Sequence, residues 1–143
     1  MFLHLLNDTQ KAKFLVFAHK LAMCDGEDTS QEEDVLVQLQ QEMETDIKVP
    51  MAEVLGEIDV GAFNTMDARV IAMIELLMVA YTDNYVHEAE AELISDIAHR
   101  FGFSQQMLDR LVDWAGRALA LGDRPDEAAY NRLVEEAYKI MGY

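Results

Sequence analysis

The 143-residue chain carries 27 Asp and Glu against 11 Lys and Arg, a formal net charge of -16. Such a surface repels phosphate backbones and anionic headgroups, which argues against nucleic acid and membranes as direct partners and leaves cations and basic protein patches. Apolar residues make up 51% of the sequence, enough to build the core of one domain spanning 1–143.

The expected fold is all-α, with about seven helices, because no segment alternates with the two-residue period of a half-buried strand. A first helix starts after Asn7 or Asp8 and presents Phe14, Phe17, Ala18, Leu21 and Ala22 on one face. Val35, Leu36, Leu39 and Met43 form the next face, and a short helix is expected to begin at Pro50, a residue suited to a first turn. Thr65 or Asn64 caps a long helix carrying Val70, Ile71, Ile74, Leu77, Met78 and Tyr81. Its apolar run is broken by Glu75 and is too short to span a bilayer, so it reads as a core helix. Glu75 sits either at a solvent edge or in the interior with a partner. Leu93, Ile94, Ile97, Ala98 and Phe101 make a further helix, stopped by Gly102. Ser104 opens the next, with Leu108, Leu111, Val112, Ala115 and Leu119 inward and Gly122 at its end. A last helix of about 126–141 follows Asp126 with Leu133, Val134, Ala137, Ile140 and Met141. Trp114 and the helical methionines Met73 and Met78 read as packing residues.

Cys24 is the only cysteine, so an internal disulfide cannot form, and the N-terminal segment lacks the pattern of a signal peptide. The expectation is a soluble cytoplasmic protein. Charge is unevenly placed: Asp25 to Asp67 holds 13 acidic residues and one base, Lys48, whereas Arg100, Arg110, Arg117, Arg124, Arg132 and Lys139 bring the C-terminal third nearer balance.

A shift of 58 residues superimposes Ala22, Asp25 and Glu32 on Ala80, Asp83 and Glu90, and the apolar Leu21, Val35 and Leu36 on Val79, Leu93 and Ile94. Each Asp ends an apolar helix and each Glu lies in the first turn of the next. Two such helical hairpins packed about a pseudo-twofold axis make a four-helix core. The motif Ala22-Met-Cys-Asp25-Gly26 with Glu32 seven residues beyond the Asp, its second copy Ala80-Tyr-Thr-Asp83-Asn84 with Glu90, and the link Arg100-Phe-Gly-Phe-Ser104 resemble the TerB-like (tellurite-resistance protein B) family. The resemblance covers roughly residues 10–121 and leaves the C-terminal helix appended. It implies an all-helical, pseudo-symmetric fold, a role in bacterial responses to tellurite and other chemical stress, and Asp25, Glu32, Asp83 and Glu90 as metal-binding residues. Asn84 stands where the first copy has Gly26, a departure in the second half-site.

Four carboxylates brought together repel one another unless a cation sits among them or some are protonated. An all-oxygen set suits Ca²⁺, Mg²⁺ or Mn²⁺. His87 and Glu88 are additional metal candidates, and a His87 nitrogen would shift preference toward Zn²⁺ or Mn²⁺. An EF-hand is excluded: counting from Asp25, its glycine position holds Ser30 and its final glutamate position Leu36, and counting from Asp83 the final position holds Ile94. The competing reading is helix capping, since Thr29-x-x-Glu32 and Ser30-x-x-Glu33 both fit a capping box, and Glu90 stands third after His87. Acidic neighbours raise the pKa of Cys24 and argue against a reactive thiolate. Tellurite is itself an anion, for which a chain at -16 offers no cradle. No glycine-rich phosphate loop, nucleophile elbow or activated cysteine is present, so no catalytic residue is assigned. The expected function is a non-catalytic divalent-metal-binding or metal-sensing module in a chemical-stress response. The alternative is an acidic protein-interaction scaffold without specific metal binding, and a metal-assisted hydrolase is a weaker third. A homodimer is compatible with either of the first two.

Overall fold

The computed structural model describes residues 2–23, 41, 51–81, 88–122 and 126–142, which form helices joined by turns and irregular segments, with no strand among them. A 3-10 turn at Leu3–Leu5 precedes α1 (Asp8–Met23), α2 (Met51–Leu55), α3 (Met66–Ala80), α4 (Glu88–Arg100), α5 (Gln105–Ala120) and α6 (Glu127–Met141). The helix expected around Val35 to Met43 lies outside the described residues, as does Cys24. No described helix is long and apolar enough to cross a membrane.

Helix starts follow their side chains. Asn7 and Gln10 form a reciprocal cap on α1: the Gln10 N–H donates to Asn7 Oδ1 at 2.8 Å and the Asn7 N–H to Gln10 Oε1 at 3.0 Å. The Gln10 amide also donates to the Ala62 carbonyl at 3.2 Å, tying α1 to the approach to α3. Thr65, Ser104 and Asp126 each accept from the N–H three residues on, at 3.4, 3.1 and 3.3 Å. Helix α4 stops where Gly102 turns left-handed at φ +83°, with the Phe103 N–H reaching the Ala98 carbonyl and the Gly102 N–H the His99 carbonyl, a Schellman closure.

Helix α3 is the centre. Every residue from Val70 to Leu77 is buried, Glu75 included. It packs against α1, α4, α5, α6 and the N-terminal 3-10 turn. Helices α4, α5 and α6 present one apolar row each: Ile94, Ile97 and Ala98 from α4, Leu108, Leu111, Trp114, Ala115 and Ala118 from α5, and Leu133, Ala137, Ile140 and Met141 from α6. Leu93, Val112, Leu119 and Val134 are half-buried at the margins of those rows.

Two contact systems join the elements. Phe17, Phe63, Phe101 and Phe103 form an aromatic cluster with neighbouring centroids 5.5 to 6.3 Å apart. The Arg69 guanidinium locks that cluster by donating to the Phe63 carbonyl at 2.7 Å and the Phe101 carbonyl at 3.3 Å. At the other end, Phe2 and Leu3 plug the core, with the Phe2 ring 6.1 Å from Trp114 and 5.9 Å from Tyr138. The Trp114 indole donates to the Leu133 carbonyl at 2.9 Å, joining α5 to α6.

Glu75 is an interior carboxylate, 3% exposed, and accepts the Phe2 N–H at 2.7 Å across 73 residues of sequence. Replacing it with Ala removes the acceptor from a buried N–H, a loss of about 1–3 kcal/mol. Urea denaturation of Glu75→Ala is therefore expected to show a lower midpoint, with Glu75→Gln, which keeps an acceptor oxygen, losing less. An unchanged midpoint in the Ala variant would remove this bond from the account of the N-terminal plug.

No atom lies within 4 Å of a Cβ built at Gly102, so the cost of Gly102→Ala is that of its backbone angle alone. About 1 kcal/mol of destabilisation is expected by thermal or chemical denaturation. A gain in stability would show that α4 can end without the left-handed residue.

On the surface, Arg117 donates to both Glu136 oxygens, at 2.8 and 2.6 Å, and to Asp113 at 3.0 Å. The hydrogen bond from Arg117 holds the Glu136 carboxyl below the ordinary glutamate range, against an opposing effect of burial. A depressed folded pKa means the stabilisation is fully present above the ordinary glutamate pKa and is lost as pH falls through the depressed value. Both side chains are about a third exposed or more, so screening limits the effect to about 0.5 kcal/mol. Glu136→Gln is expected to remove that small step from the acid limb of a stability-against-pH curve. A curve that superimposes on the native one over that range would show that the pair contributes nothing.

Candidate carboxylate site

Glu90 is the one residue of the paired-acid set within the described residues; Asp25, Glu32, Asp83 and the additional candidate His87 lie outside them. It belongs to the first turn of α4. Its helical row continues through Ile94, Ile97 and Phe101, all buried, and Glu90 is itself only 4% exposed and partnered. Glu88 and Glu92, two positions to either side, are exposed. Helical spacing explains the contrast: 90, 94, 97 and 101 share the core-facing stripe, whereas 88 and 92 face outward. Glu90 is thus placed as a core residue whose carboxylate lies at the N-terminal end of α4, where the helix dipole favours negative charge.

Among the described residues, no three His, Cys, Asp or Glu side chains converge in a way that could hold a metal ion. Glu88 points away from the row that Glu90 occupies, which sets it apart from Glu90 as a candidate. His4 and His99 are exposed, and His19 is half-buried and partnered on α1.

Basic residues with a definite structural role surround the short α2, and the sequence reading did not single them out for it. Lys20 donates to the Val54 carbonyl at 2.7 Å and to the Gly56 carbonyl. Burial there pushes its ammonium below the ordinary lysine pKa. Lys13 bonds Glu53 at 2.8 Å, and that hydrogen bond raises its pKa. Arg100 reaches Asp96 at 3.3 Å and the Ile58 carbonyl at 3.4 Å. The only sequence signal for this clamp is that Lys13 and Lys20 lie seven residues apart on α1, and hence on nearly the same helix face. Between α1, α2 and α4 the clamp borders an open groove of about 490 Å³.

No protein-family model matches the chain, and neither a curated protein nor a solved structure matches it.

Proposed function

We propose that the chain is a non-catalytic divalent-metal-binding or metal-sensing module of the TerB-like kind, acting in a tellurite or other chemical-stress response. The paired acids Asp25, Glu32, Asp83 and Glu90 supply the ligands, and the ion is a hard cation such as Ca²⁺, Mg²⁺ or Mn²⁺. The observation that carries this reading is the burial of Glu90 at the start of α4. A carboxylate retained only for solubility belongs on the outer face, beside Glu88 and Glu92, where it stays hydrated and no desolvation cost arises.

The pseudo-twofold arrangement belongs to the same proposal. Its support is that the caps Asn7 and Thr65 stand 58 residues apart, the offset that relates Asp25 to Asp83 and Glu32 to Glu90. Helices α1 and α3, which start at Asp8 and Met66, also pack directly against each other. Under this reading they are equivalent first helices of two hairpins, and the acids at their ends converge on one cation.

Thermal melting of EDTA-stripped protein against Ca²⁺, Mg²⁺, Mn²⁺ and Zn²⁺ at fixed ionic strength tests the proposal. Binding to the folded state alone, at a hundredfold excess over the dissociation constant, stabilises by about 2.7 kcal/mol. A domain of this size would then melt about 5–10 °C higher. The rise is expected to be selective, absent from Asp25→Asn/Asp83→Asn and strongly reduced in Glu90→Gln. The conservative Gln keeps hydrogen-bonding capacity, so its melting without metal reads the capping role separately. A flat response of the native protein to every ion overturns the proposal.

The alternative, an acidic scaffold for a basic partner, rests on Glu53, Glu57 and Asp59, all exposed within seven residues. A basic partner captured through this surface is expected to dissociate as salt rises from 50 to 500 mM, since exposed charges are screened. Capture that persists unchanged at high salt would count against a charge-driven dock.

A further inference from the structure

We draw no further inference here: the strongest candidate, the groove between α1, α2 and α4 walled by Met23, Leu55, Ile58 and Leu93, has its basic rim already engaged, Lys20 on the Val54 and Gly56 carbonyls and Arg100 on Asp96 and Ile58, and nothing in the structure shows what covers it.

Discussion

A helix without a solvent face has to be covered on every side, and α3 is such a helix. Its run from Val70 to Leu77 is buried all round, so α1, α4, α5, α6 and the N-terminal turn each supply one wall of its enclosure. This constraint accounts for the single-stripe pattern of α4, α5 and α6, which need only one apolar row to face α3, whereas α1 is buried continuously from Phe14 to Ala18. It also explains why Phe2 and Leu3 form a plug: without them the part of the core beside Trp114 would be open to water. Removing two such side chains from water contributes about 3–6 kcal/mol in favour of docking, before chain ordering is subtracted. Glu75 answers the one polar question this leaves, by accepting the Phe2 N–H inside the core.

Three bases among the described residues work as fasteners. Lys20, Arg69 and Arg100 all donate to backbone carbonyls at helix ends or in the connections, at Val54, Gly56, Phe63, Phe101 and Ile58. A charged donor to a carbonyl makes a stronger bond than a neutral one, about 1.5–3 kcal/mol. The 27 acids outnumber the 11 bases whichever groups those bases contact, so the net charge stays at -16. That surplus gives the molecule a long-range preference for cations whatever the local ligands are.

Much of the helical framework is legible in the sequence because it is written locally. Thr65, Ser104 and Asp126 sit where caps are needed, Gly102 where a left-handed residue is needed, and the rows of α4, α5 and α6 repeat at helical spacing. The plug is not legible, because what fixes it is a bond from Phe2 to a carboxylate 73 residues away, and no periodicity reports that. The interior position of Glu75 is ambiguous for the same reason: an acid in an apolar run fits either an edge or a partnered core site, and the partner is a backbone N–H without a sequence signature. For the candidate site, the row 90, 94, 97, 101 could have placed Glu90 inward from spacing alone. Glu88, offset from that row, could have been set aside on the same spacing. The fasteners Lys20 and Arg69 carry no pattern beyond being basic residues on amphipathic or buried helices.

The energetics of Glu90 bear on what kind of metal site it would belong to. Removing a carboxylate from water costs several kcal/mol. The helix dipole returns up to about 2 kcal/mol at a partly buried N-terminus, and a hydrogen bond to a charged group about 1.5–3 kcal/mol more. Glu90 also has a partner in the fold, so its burial does not by itself depend on a bound ion. A cation arriving there would add stability to a protein that is already folded, unlike a structural zinc whose loss unfolds its domain.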